Sequence, residues 1–201
     1  VNPLPIVDFS LPKVCLPDGS AAFNDLSVIP DNTQSQFTYK WNFGVVSLNS
    51  DTAIVQNPVY KYSNLGPFTV QLKVTSNNNC IDSSSKLLVD VFPQPKAGFT
   101  SKDSLCIGDI VDFTDNSDGI VRTVTEWRWL FGNGATSTVQ NPSYLYGSPG
   151  TYDAKLYVYS SEGCISDTAT KTIEVWAYPA LNAGPDIEVL ENGVRKITGI
   201  T

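Results

Sequence analysis

The chain has 201 residues, of which 41% are hydrophobic and 16% charged, enough apolar material for one large domain or two ordinary ones. Its net charge of −7 argues against a nucleic-acid partner, since phosphate binding needs clustered Lys and Arg. No apolar run approaches the ~20 residues that cross a bilayer as a helix, so no membrane insertion is expected. His is absent, which removes the usual general base, the commonest zinc ligand and every Ser-His or Cys-His arrangement. Met is absent too, at position 1 as elsewhere, and this predicts an excised piece of a longer polypeptide.

Taken in chain order, the first ninety residues return in the next ninety. Val7-Asp8-Phe9-Ser10-Leu11 comes back as Ala97-Gly98-Phe99-Thr100-Ser101, Cys15 as Cys106, and Ala22-Phe23 as Asp112-Phe113. Tyr39-Lys40-Trp41-Asn42-Phe43-Gly44 returns as Trp127-Arg128-Trp129-Leu130-Phe131-Gly132. Val55-Gln56-Asn57-Pro58-Val59-Tyr60-Lys61-Tyr62 returns as Val139-Gln140-Asn141-Pro142-Ser143-Tyr144-Leu145-Tyr146. The run from Gly66 to Val74 matches the run from Gly150 to Val158, and Cys80-Ile81 matches Cys164-Ile165. The offset drifts from 91 at the first Cys to 84 at the last, which loop-length changes between strands account for.

Within each repeat the apolar period is 2. Phe68, Val70, Leu72 and Val74 alternate with Thr69, Gln71 and Lys73, as Tyr152, Ala154, Leu156 and Val158 alternate with Asp153, Lys155 and Tyr157. Such runs read as strands buried on one face, and Gly, Pro, Asn, Asp and Ser gather between them. The expected fold is all-β: two tandem immunoglobulin-like β-sandwiches, over residues 1–94 and 95–177, joined near Phe92-Pro93-Gln94-Pro95-Lys96. Residues 178–201 are too few to bury a core and read as the truncated start of a third module. There Ala183-Gly184-Pro185-Asp186 reads as a turn before two further strands.

Trp41 with Phe43, and Trp129 with Phe131, fall on one strand face and are expected in the core, as are Tyr62 and Tyr146. Tyr39 and Trp127 stand two residues earlier on that face, in the core or at its edge. The same alternation turns Tyr157, Tyr159 and Arg128 outward in the second repeat, where the first has Lys73, Thr75 and Lys40. A Tyr and Arg cluster is a common recognition surface, so these three are the candidate interaction surface.

The ordered set Trp-x-Phe-Gly, Asn-Pro-x-Tyr-x-Tyr and Gly-x-Tyr-x-x-x-Leu-x-Val, present twice, resembles the polycystic kidney disease (PKD) domain. The match covers residues 5–92 and 96–176. The resemblance implies an immunoglobulin-like sandwich used as a non-catalytic extracellular module, with no enzyme activity, in tandem arrays of secreted or cell-surface bacterial proteins. Family members usually read Trp-Asp-Phe-Gly-Asp-Gly. Domain two keeps the second Gly as Gly134, whereas domain one has Val45-Val46 after Gly44, so a different turn is expected there.

Four Cys in an acidic, strand-rich chain suggest an oxidising compartment. Cys15–Cys80 with Cys106–Cys164 is the favoured pairing because each repeat carries both partners at matching positions, although simple sandwich topology puts those turns at opposite ends. No cofactor is expected. Asp112, Asp115, Asn116, Asp118 and Gly119 could collect oxygen ligands for calcium, but their spacing fails an EF-hand loop, and a polar turn is the simpler reading. The functional expectation is a spacer, display or adhesion module, with neighbouring modules of the same polypeptide as partners, or protein or polysaccharide at the cell surface. The alternative is a carbohydrate-binding accessory region of a secreted polysaccharide-degrading enzyme, suggested by the abundant Trp and Tyr.

Overall fold

A computed structural model describes residues 2–30, 36–45 and 51–180, with the backbone of strands Ile187–Glu191 and Val194–Thr198. The period-2 segments form the central strands. In Phe68–Ser76 the side chains of Val70, Leu72 and Val74 are fully buried, while Thr69, Gln71 and Lys73 face water. This strand pairs antiparallel with Phe37–Asn42 on one side, Trp41 opposite Leu72, and with Ile81–Leu88 on the other. Thr52–Ala53 completes a four-stranded sheet. Facing it are short antiparallel pairs, Phe9–Ser10 with Asn24–Asp25 and Ser20–Ala22 with Val59–Lys61.

Domain two repeats the plan. Its central strand Gly150–Ser160 lies between Val124–Leu130 and Ala169–Trp176, with Trp129 opposite Leu156. Among the described residues there is no helix, and each domain has its own apolar cluster.

The repeated motifs build each core in the same way. Trp41 is buried edge-on to Phe9 at 5.2 Å and its indole N–H donates to the Val55 carbonyl at 3.0 Å. Trp129 is buried edge-on to Phe99 at 5.0 Å and donates to the Val139 carbonyl at 2.9 Å. The last tyrosine of the Asn-Pro motif is buried as well: Tyr62 donates to the Phe43 carbonyl and Tyr146 to the Phe131 carbonyl, both at 3.0 Å. A buried phenol thus keeps its polar tip satisfied, and its ring stacks on Phe68 or Tyr152 at 4.3 Å. The glycine of Trp-x-Phe-Gly is required twice over. Gly132 has φ +83°, and a Cβ there would come within 2.8 Å of the Asp153 backbone nitrogen.

The turns after these glycines differ between domains. The Phe131 N–H bonds to Ala135 O, whereas the Phe43 N–H reaches Asp51 O, so the loop lacking the second Gly is four residues longer. Ile187–Glu191 and Val194–Thr198 pair as an antiparallel hairpin; the Ala183–Asp186 segment read as a turn lies outside the described residues.

The disulfide pairing departs from expectation. Cys15 is bonded to Cys164, 149 residues away and in the other domain, with a Cα–Cα distance of 5.4 Å; Cys80 and Cys106 are free. Neither Cys15–Cys80 nor Cys106–Cys164 forms. The reason is strand length. Cys15 pairs with Phe92, beyond the far end of Ile81–Leu88, while Cys80 immediately precedes that strand. Eight extended residues span roughly 25 Å, far beyond the ~7 Å Cα limit for a bridge. Cys106, opposite Trp176, and Cys164 are separated in the same way by Ala169–Trp176.

Candidate functional site

The junction between the domains brings together residues from four segments. One wall comes from domain one: Lys13 and Cys15 on the segment leading into and along Val14–Cys15, and Phe92 at the end of the parallel partner strand. The other wall is the turn of domain two between Ser160 and Cys164, flanked by Arg122. That turn is held by its own hydrogen bonds. The Ser160 N–H donates to Cys164 O at 2.9 Å, the Cys164 N–H donates to Ser160 Oγ at 3.2 Å, and Gly163 supplies φ +84°. The Cys164 sulfur is therefore presented from a tight loop held by its own hydrogen bonds, and the bonded residue is fully buried.

Around the bond lies a charged ring. Lys13 Nζ reaches Glu162 Oε2 at 2.9 Å, and Arg122 Nε stands 3.7 Å from Glu162 Oε1. The hydrogen bond from Lys13 holds the Glu162 carboxyl below its usual range, and Glu162 in turn raises Lys13. Both groups are solvated, so the pair sets the register of the docking more than its strength. The Arg122 guanidinium also sits 5.1 Å from the centroid of Phe92, which is only 5% exposed. In the linker, Gln94 donates to Asp167 at 3.2 Å, beside a shallow crevice of about 330 Å³ lined in part by Pro95, Ala97 and Ala169. The sequence reading missed Lys13, Glu162, Arg122 and Phe92; each gains its role only from the contact between domains.

The outward strand face of domain two carries Tyr157, Tyr159 and Arg128. Arg128 is opposite Tyr157, the two tyrosine rings meet edge-to-face at 6.1 Å and 66°, and the guanidinium lies 5.9 Å from the Tyr159 centroid. Arg128 is also paired with Glu126 at 2.8 Å. All three side chains are half-buried, on the face opposite buried Ala154, Leu156 and Val158. Trp127 is half-buried too, with its indole N–H donated to Asp115 Oδ2 at 2.8 Å. Tyr39, its counterpart, is pushed up to about 12 by burial first and then by Asp25.

The acidic segment of domain two is engaged in turn hydrogen bonds. Asp115 accepts from the Ser117 N–H, the Trp127 indole and the Gln140 amide; Asp112 accepts from the Ser143 hydroxyl, and Asp118 from the Ile120 N–H. Among the described residues no three His, Cys, Asp or Glu side chains are grouped to hold a metal ion, and no helix is long and apolar enough to cross a membrane.

The profile of the PKD domain matches twice, over residues 2–91 and 93–175. A microbial collagenase of Vibrio alginolyticus is 36% identical over 84 residues, 41% of this chain and 10% of that protein. The pre-pro-metalloprotease PrtV of Vibrio cholerae is 24% identical over 155 residues, 73% of this chain and 16% of that protein. The chain thus spans a small fraction of the length of these relatives. The crystal structure of the PKD1 domain of PrtV is 32% identical with a TM-score of 0.37, covering 41% of this chain and 96% of that one. With two consecutive matches that together cover most of its length, and with the repeated Trp, Gly and Tyr motifs holding both cores, the chain belongs to the PKD domain family.

Proposed function

We propose that this chain is a non-catalytic, extracellular pair of PKD domains that acts as a stiff spacer in a larger bacterial surface or secreted protein, dividing at about residues 94 and 177. The observation that carries this reading is the Cys15–Cys164 bond, which crosses the domain boundary rather than closing a loop within one domain. Together with the linker it gives the domains two covalent connections, so neither can swivel freely about residues 93–96. A bond of this kind persists in an oxidising compartment and is rare in a reducing one. Relatives in collagenases and a metalloprotease, where the matched segment is about a tenth to a sixth of the protein, suit an accessory role.

In this reading the Tyr157–Tyr159–Arg128 ledge is a surface for a protein neighbour rather than a sugar. A sugar ring stacks on a flat exposed aromatic face. Here the two rings are steeply inclined to each other and the guanidinium stands over one of them.

Residual dipolar couplings test the spacer reading. The oxidised chain should fit one alignment tensor for both domains, and Cys164→Ser should need two. Two independent tensors in the oxidised protein would contradict a stiff spacer. Antibody against the chain should label intact cells or culture supernatant of the source bacterium; signal confined to permeabilised cells would contradict the extracellular assignment.

A further inference from the structure

The free thiols occupy the same structural positions as the bonded ones. The turn that carries Cys80 repeats the turn that carries Cys164: the Ser76 N–H donates to Cys80 O at 2.9 Å, the Cys80 N–H donates to Ser76 Oγ at 3.2 Å, and Asn79 takes φ +59° where Gly163 takes +84°. Cys106 likewise repeats Cys15. It lies on a strand paired in parallel with the end of its domain, Cys106 opposite Trp176 as Cys15 is opposite Phe92, and the following N–H donates to Trp176 O or Phe92 O. Cys15 and Cys106 are both half-buried, and burial separates their surroundings and the serine-turn cysteines. Cys164 is fully buried against domain one, whereas Cys80 in the equivalent turn is half-exposed. Phe92 is 5% exposed at the junction, and its equivalent Trp176 is 58% exposed beside Cys106. The incoming chain passes the first free thiol, with Asn2 O 4.0 Å from Cys80 Sγ.

We propose that Cys106 and Cys80 are the two open ends of a head-to-tail series of inter-domain disulfides. Cys106, with Trp176, receives the serine-turn cysteine of a PKD domain that follows in the same polypeptide; Cys80 receives the strand cysteine of one that precedes. This deepens the spacer reading and rests on it, by naming what the spacer joins to. Because each bond links the start of one domain to the end of the next, the contact is heterologous and does not close on itself, so it extends with every added domain. Each bond forms from two thiols, which lose two protons and two electrons to an external disulfide oxidant; that oxidant leaves as two thiols. The Lys13–Glu162 pair is replaced at the open ends by Ser104 and Asn78, so recognition there rests on the cysteines and on cover for Trp176.

The test is a tandem duplication, in which Trp176 is followed by the five residues Pro93–Ala97 as linker and then by a second full copy. The protein is equilibrated in a glutathione redox buffer and its disulfides are mapped by mass spectrometry. The expected result is a new bond from Cys106 of the first copy to Cys80 of the second, leaving one free thiol at each end. Retention of all four thiols, or pairing of these cysteines in any other combination, overturns the inference. The Cys15–Cys164 bond within each copy is the internal control: its loss would sink the spacer reading itself, whereas its presence without the new bond sinks only the extension. If the duplication does not fold, single chains of Cys80→Ser and Cys106→Ser mixed under the same buffer keep the idea falsifiable. The ratio of heterodimer to homodimers should exceed its statistical value roughly tenfold, the ratio given by about 1.4 kcal/mol of preference, and Trp176→Ala should reduce that excess. A statistical mixture, or no dimer, overturns it.

Discussion

Breaking the Cys15–Cys164 bond should lower the stability of both domains that it joins. When domain two unfolds with domain one intact, Cys15 stays fixed opposite Phe92, so the bond ties Cys164 to the point where the chain leaves domain one. The unfolded domain is then a closed loop of about 72 residues, which by chain entropy is disfavoured by about 4 kcal/mol relative to the open chain. Domain one gains by the same argument, since its unfolded chain would be held between Cys15, bonded to Cys164, and the covalent linker into domain two. For domains of this size 1 kcal/mol corresponds to roughly 4–8 °C in Tm, so the Cys15→Ser/Cys164→Ser double variant should melt about 15–30 °C below the oxidised protein. Calorimetry of the two proteins, with reduced wild type as a third sample, measures this. Transitions that coincide within about 1 kcal/mol would refute the loop argument, as surface changes of no consequence fall in that range.

Trp129→Ala should destabilise domain two by ~3–5 kcal/mol while domain one keeps its dispersed NMR spectrum, because each core is a separate cluster; loss of both spectra at once would contradict this. Alkali should weaken the fold over a defined window. Tyr39 and Tyr146 are both pushed up to about 12, in each case chiefly by burial, so the folded state retains protons that an unfolded tyrosine releases near pH 10. Their contribution is complete below about pH 10 and is lost as pH rises to about 12; a urea midpoint unchanged between about pH 9 and about pH 11, one unit either side of the free tyrosine value, would count against it. Tyr157→Ala with Tyr159→Ala should leave domain stability within about 1 kcal/mol, because both rings lie on the outward face. A loss of core size would mean that these rings support the sheet rather than meet a partner.

Much of the fold was legible because the repeat reports it twice. The alternation at Phe68–Val74 and Tyr152–Val158 sets which side chains are buried, and the Trp-x-Phe-Gly and Asn-Pro-x-Tyr-x-Tyr motifs name the rings and hydrogen bonds that fill the space. The disulfide was not legible, for a reason built into repetition. If Cys15 is equivalent to Cys106 and Cys80 to Cys164, pairing within a repeat and pairing across to the next preserve that equivalence equally well. What separates them is distance: a strand of eight residues lies between the two cysteines of one domain, and this length was present in the sequence as Ile81–Leu88. Lys13, Glu162 and Arg122 carry no motif, and nothing local marks them as a junction. Trp176 did carry a signal, as an aromatic residue at a domain exit, outside the core pattern.

The account rests on a bond between domains, and a peptide map of the non-reduced protein tests it most directly. Free thiols are alkylated under denaturing conditions before digestion, so that no exchange follows. The account predicts one disulfide-linked species joining the Cys15 peptide to the Cys164 peptide, with Cys80 and Cys106 both alkylated. Linked peptides joining Cys15 to Cys80, or Cys106 to Cys164, would contradict it.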